Sequence, residues 1–193
     1  MSHTPWMRFN AVLLYAMVLS GVILAAGHVK TRMEWRPARP GTARVEIDGV
    51  HVLAEHLRRD QAVLALSFDM KLASLFDDWS TKLLFAWVQV EYSTKDHPRN
   101  VVTLLDHLVL DRDHANMTGK GVLAEYVLDD PGTNLKDTEL TVNVRVDAFP
   151  NIGLMGKHHT LRDVTTFEQP AFTLPSQYIV PQDPRMRRRV GRP

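Results

Sequence analysis

The chain has 193 residues, a formal net charge of +1 and no cysteine. That length makes one domain of ordinary size with short terminal segments, and the missing cysteines exclude disulfides, thiol nucleophiles and cysteine-ligated zinc. Five arginines (Arg185, Arg187, Arg188, Arg189 and Arg192) face only Asp183 in the tail after Val180, so the remainder is mildly acidic and no general affinity for nucleic acid is expected.

The stretch Phe9 to Val29 contains no Asp, Glu, Lys or Arg. As a helix it is about 31 Å long, close to the hydrocarbon thickness of a bilayer. It is apolar on every face, unlike a helix that packs one stripe onto a soluble core. Residues 9–29 are therefore expected to be a membrane anchor. A cleaved signal peptide is the alternative, since Ala25, Ala26 and Gly27 put small residues near a cleavage point. Arg8 flanks one side, and Lys30, Arg32, Arg36 and Arg39 flank the other, offset by Glu34. Counted alone, those flanks place the large C-terminal part in the cytoplasm. Next, "RPARPG" at 36–41 cannot continue a helix and makes 30–43 a short stiff spacer.

Strand patterns follow. "RVEIDGVHVL" at 44–53 alternates on both sides of Asp48-Gly49, and "QAVLALSFDM" at 61–70 is a second strand. The segment 71–82 holds a helical turn. Leu83–Tyr92 and Val101–Leu110 are joined by a polar stretch with one proline, the signature of an antiparallel hairpin. Phe85, Trp87 and Tyr92 divide over both faces of the first arm, one set for the core and the other for a partner. "GVLAEYVLD" at 121–129, "ELTVNVRVD" at 139–147, Thr160–Glu168 and Ala171–Val180 complete the series, the last an edge because of its prolines. Leu140, Val142, Val144 and Val146 alternate with polar residues at period two. Strands without intervening helices imply an antiparallel sandwich. The fold class is thus mainly β, a single N-terminal transmembrane helix before a sandwich-like domain over 44–180, with a basic tail at 181–193.

Catalytic signatures are absent from the sequence. No serine lies in a G-x-S-x-G or S-x-x-K setting, and there is neither a Gly-rich phosphate loop nor H-E-x-x-H. The densest polar cluster holds Asp106, His107, Asp111, Asp113, His114 and Asn116. Hard ligands or an acid–base pair could come from it, but a regular strand sends Asp106 and His107 to opposite faces and leaves the rest a solvated loop. His158-His159 reads as surface. "NMT" at 116–118 is an N-glycosylation sequon in a polar loop between two strands, making Asn116 a candidate acceptor. No catalytic, cofactor-binding or metal-binding residue is assigned, and no cofactor is expected.

Three segments, "LFDDWSTKLLFAWVQVEYSTK" at 75–95, "NVVTLLDHLVL" at 100–110 and "VRVDAFPNIG" at 144–153, resemble the single-span third accessory subunit of the eukaryotic signal peptidase complex. Leu75, Phe76, Trp79, Lys82 and Phe85 match its first motif, Glu91 to Lys95 its second, Asp106 its third, and Pro150 with Gly153 its fourth. The order runs over about half the chain, and the N-terminal span agrees with it. Departures are an added residue at Asp77-Asp78, Ser80 for asparagine, Leu105 and His107 around the third acidic position, and Val146-Asp147 for a Trp-Asn pair. The resemblance implies a non-catalytic subunit with a cytosolic stretch at 1–8, an anchor at 9–29 and a lumenal domain in the endoplasmic reticulum, against the charge flanks. It implies as partners the catalytic subunit and the other small subunits, the membrane lipid and the translocon as a further neighbour. A membrane-anchored hydrolase using the Asp106–His114 cluster, and a secreted or cell-surface sandwich, are the rival functions.

Overall fold

A computed structural model describes residues 4–34, 41–76, 81–150, 165–166 and 171–180. Its first element is α1 (Pro5–Glu34). Proline suits the first helical position, where its missing N–H would have no intrahelical acceptor anyway. The Thr4 carbonyl accepts the N–H groups of Met7 and Arg8. The helix begins before the expected span of 9–29 and runs on through Lys30–Glu34, because the residues after the apolar run are compatible with helix and nothing there breaks it. The first part of the expected spacer 30–43 is therefore helical, and its residues 35–40, like the tail 181–193, lie outside the described residues. Pro5–Val29 is long and apolar enough to cross a membrane, and none of it is buried against the rest of the protein. Lipid is the environment that suits a helix exposing apolar side chains all round. Trp6 and Phe9 stack at its start with ring centroids 6.0 Å apart, as the aromatic residues of a membrane interface do.

Among the described residues nine strands follow: β1 (Thr42–His56), β2 (Arg59–Lys71), β3 (Thr81–Tyr92), β4 (Asn100–Val109), β5 (Asn116–Leu123), β6 (Leu128–Asp130), β7 (Glu139–Pro150), β8 (Thr165–Thr166) and β9 (Phe172–Thr173). One sheet has the order β5-β2-β1-β8 with β6 also on β2, and the other the order β4-β3-β7-β9. Pairings are antiparallel except for the short parallel β1–β8 contact. The sheets pack face to face. Val45 and Met70 of the first meet Leu84, Ala86, Val88, Val109 and Val146 of the second in one buried cluster. Leu53, Leu64 and Leu66 meet Val90, Leu104 and Leu140 in another. This is the expected sandwich, with both cores fed by the inner rows of β2, β3 and β7.

Several boundaries match the sequence pattern and two do not. The β3–β4 hairpin, β1, β2 and β7 lie where periodicity places them, and the expected helical turn is a 3-10 turn at Ala73–Phe76. β1 shifts register at Ile47/Gly49, beside the Asp48-Gly49 interruption. The expected strand at 121–129 is instead split. β5 starts at Asn116, Gly121 adopts a left-handed φ of 60°, and the chain leaves the sheet before resuming as β6. In the gap the Ala124 N–H bonds to Leu64 O of the first sheet (2.8 Å) and the Tyr126 N–H to Leu104 O of the second (3.1 Å). The segment thus straps the two sheets together, an interaction that period-two patterning cannot reveal. Of the expected strands 160–168 and 171–180, the described parts are β8, β9 and a bridge between Leu53 and Ile179.

A buried polar network fastens the C-terminal segment. Asp60 and Asp130 face each other across the β2–β6 register, and both are fully buried. The Tyr178 hydroxyl donates to Asp60 Oδ1 (2.9 Å), and the Leu135 N–H donates to Oδ2 (3.1 Å). The Tyr92 hydroxyl donates to Asp130 Oδ1 (3.3 Å), and the Gly132 N–H donates to Oδ2 (3.1 Å). Burial, then the Asp130 charge, pushes the Tyr92 phenol well above its ordinary value. Neutral donors thereby satisfy two carboxylates that burial alone would make costly. Tyr178→Phe leaves Asp60 Oδ1 without that donor and should destabilise the full chain in detergent by about 1–3 kcal/mol. Urea unfolding followed by circular dichroism checks it; an unchanged midpoint contradicts the role given to this network.

Candidate interaction surface

β3 carries two different faces. Leu84, Ala86, Val88, Val90 and Tyr92 point inward and are buried. Phe85 and Trp87 point outward and are half-buried. The outward pair packs ring on ring, with centroids 5.4 Å apart and planes tilted by 33°. Trp87 Nε1 donates to Gln89 Oε1 (3.2 Å), which satisfies its polar atom and fixes the indole along the strand. Across the β3–β4 register, Asp106 stands opposite Trp87 and Leu108 opposite Phe85. Arg145 and Asp147 stand opposite the same two residues on β7. Tyr126, whose backbone N–H bonds to the Leu104 carbonyl at the β4 edge, lines the same pocket as Asp106. Interaction with the Asp106 carboxylate raises the Tyr126 phenol.

Phe85, Trp87, Thr103, Asp106 and Tyr126 enclose an open pocket of ≈ 480 Å³ on this outer face. Leu108 (50% exposed) and Val101 (46%) lie on the same face, apolar side chains that the domain leaves uncovered. Asp147 Oδ1 is buried without a hydrogen-bond partner. A partly exposed aromatic face beside exposed aliphatic side chains is what a protein interface offers.

A second cavity of ≈ 480 Å³ opens between the sheets beside β4 and β5, where Phe68, Met70, Leu105 and Met117 form its apolar wall and Asp106, His107 and Asn116 also line it. Gly119 makes the close packing there possible, since a Cβ would come within 2.7 Å of the Phe68 ring.

The sequence-defined polar cluster is divided. Asp106 lines both the outer aromatic pocket and the cleft on the other side of β4, which His107 and Asn116 also line. Asp111, Asp113 and His114 lie exposed in the loop beyond. Within that loop His114 Nδ1 meets Asp111 Oδ1 at 2.6 Å, and the His114 backbone N–H donates to the same oxygen (3.0 Å). The contact raises the His114 imidazole and lowers the Asp111 carboxyl. Among the described residues no three His, Cys, Asp or Glu side chains could share a metal ion. Asn116 is the first residue of β5, and this corrects its expected place in the loop. Its Oδ1 accepts the Ala73 N–H (3.3 Å), and it shares an exposed face with Thr118. His158 and His159 lie outside the described residues. Sequence reasoning missed Tyr126 as a pocket wall, because it reaches β4 through the strap rather than through strand periodicity.

A family model described as signal peptidase subunit matches residues 2–172. Proteins named signal peptidase complex subunit 3 align along most of the chain. The one from Gallus gallus is 27% identical over 157 residues, 79% of this chain and 87% of its own length. The one from Dictyostelium discoideum is 26% identical over 178 residues, 92% of this chain and 97% of its own. That from Caenorhabditis elegans is 27% identical over 180 residues, 91% and 96% respectively.

Because the hydrogen bond and charge of Asp111 hold the proton on His114, the imidazole should titrate above the ordinary value of 6.5. Asp111→Asn should lower that midpoint. An NMR titration of the histidine ring protons measures both, and equal midpoints in the two proteins would contradict the pairing.

Proposed function

The chain belongs to the signal peptidase subunit family, and from that footing we propose that it is a non-catalytic accessory subunit of the endoplasmic reticulum signal peptidase complex. The observation that carries this reading is a family match running from the membrane helix through the sandwich, with relatives named as subunit 3 of that complex. In this reading the catalytic residues belong to another subunit, and this chain holds that subunit in place. The outer aromatic face of the second sheet supports such a role, since it offers contact area to a partner.

Tethering gives the mechanism. Only residues 35–41 separate α1 from β1, so the sandwich stays close to the membrane surface. Encounters with other membrane-bound subunits are then effectively intramolecular, which raises occupancy without new contacts. Contact with the catalytic domain would hold the active site beside the scissile bond of a signal peptide. The partners proposed are the catalytic subunit, the other small subunits and the surrounding lipid, with the translocon as a neighbour. The orientation proposed is type II, with the sandwich in the lumen. An exposed Asn116 and Thr118 on one face of β5 suit a glycosyltransferase of that compartment.

Depletion of the chain should cause uncleaved secretory precursors to accumulate, and a complex reconstituted without it should process a reporter precursor poorly. Full processing in its absence contradicts the accessory role. Cleavage by this chain alone, lost on Asp111→Ala with His114→Ala, moves it to the hydrolases.

In sealed microsomes the sandwich should resist added protease and become digestible once detergent is present. Digestion before detergent reverses the orientation. Glycosidase should increase the mobility of the wild type and leave Asn116→Gln unaffected. A wild type without a shift removes the glycan and leaves the orientation standing.

A further inference from the structure

We propose that the pocket formed by Phe85, Trp87, Tyr126 and Asp106 is a socket for a basic side chain, arginine or lysine, presented by another subunit; this rests on the accessory-subunit reading. Three aromatic walls and one carboxylate line the same ≈ 480 Å³ cavity. Aromatic faces carry negative quadrupole potential and attract cations, and a carboxylate adds direct charge complementarity. The combination selects a cation that also has apolar surface, which describes a guanidinium or an ammonium on its methylene stem.

The walls are already fixed. Trp87 is held by Gln89 and packs against Phe85, while the backbone of Tyr126 is held by the Leu104 carbonyl. Binding therefore orders little on this side of the contact. An ionised carboxylate has about four lone-pair sites, so Asp106 has capacity for an incoming N–H. The chain's own nearby cation is not the occupant: Arg145 faces Trp87 from β7 and does not line the pocket. The exposed Leu108 and Val101 on the same face favour a protein as the source of the cation, because a flanking polypeptide would cover them and exclude water around the pair. A choline headgroup offers similar cation chemistry and is distinguished by the test.

The full chain carrying benzoylphenylalanine in place of Leu108 is assembled with the complex in membranes, photolysed and mapped by mass spectrometry. A crosslink to a segment of another subunit containing arginine or lysine supports the socket. A crosslink to lipid, or to a segment without a basic residue, overturns it. In parallel, Asp106→Asn should weaken association with the rest of the complex by roughly three- to thirtyfold, and its association should depend less on salt. Asp106→Glu should recover part of the loss, which a general folding defect would not allow. If the wild type associates and all variants associate equally, the socket is wrong and the accessory role stands. If the wild type does not associate at all, both are wrong.

Discussion

The side-chain alternation of β3 is the constraint on which the rest depends. A strand sends successive residues to opposite faces, so one sequence must satisfy two environments at once. In β3 the inward row is aliphatic with a terminal tyrosine, and it packs into both buried clusters. The outward row begins with Leu83, Phe85 and Trp87 and ends with Gln89 and Glu91. β3 is flanked by β4 and β7, so neither row can change faces without a register slip that would bury Glu91 and expose Leu84. The aromatic outer patch is thereby locked in place by the core on the reverse side.

That locking explains why much of the fold was legible in the sequence. Where one face is buried and the other wet, as in β7, apolar residues recur at every second position and mark the strand, whereas β2 is buried on both faces and is marked by the continuous run Ala62–Leu66. The hairpin and the sandwich class follow from such patterns, and the membrane span from its unbroken apolar run. The split of 121–129 was not legible, because Val122, Leu123, Ala124, Val127 and Leu128 form an apolar run that looks like one strand. What divides it is tertiary: the backbone of Ala124 turns to Leu64 and that of Tyr126 to Leu104. The glycosylation sequon moved from loop to strand for a related reason. Asn116 is polar, yet it pairs with Lys71 at an edge where polar residues meet solvent at no cost.

The candidate site was half legible. The outward placement of Phe85 and Trp87 follows from strand parity alone, whereas Asp106, read as part of a polar cluster, lines one cavity with His107 and Asn116 and a second with aromatics. The aromatic neighbours come from β3 and from the strap, separated from it in sequence. The buried Asp60–Asp130 pair was hidden for the same reason. Each aspartate looks like an ordinary turn or strand-end residue, and only the fold brings Tyr92 and Tyr178 to them.

The two polar–aromatic arrangements differ in what completes them. At Asp60 and Asp130 tyrosine hydroxyls and backbone N–H groups close the hydrogen bonding inside the domain, and the result ties the segment ending at Val180 to the first sheet. At Asp106 a tyrosine lines the pocket beside the carboxylate, and that space stays open to the outside. Leaving a large apolar side chain exposed forgoes up to about 1.5–3 kcal/mol of burial energy, so a domain with Val101, Leu108 and Tyr126 exposed beside a half-buried Phe85 and Trp87 has kept some stabilisation unused. A membrane-tethered domain can tolerate this if a partner covers the face once assembled. The short link to α1 keeps such partners within reach, and the same patch that would promote nonspecific association in a free protein becomes a specific contact when its neighbours share the membrane.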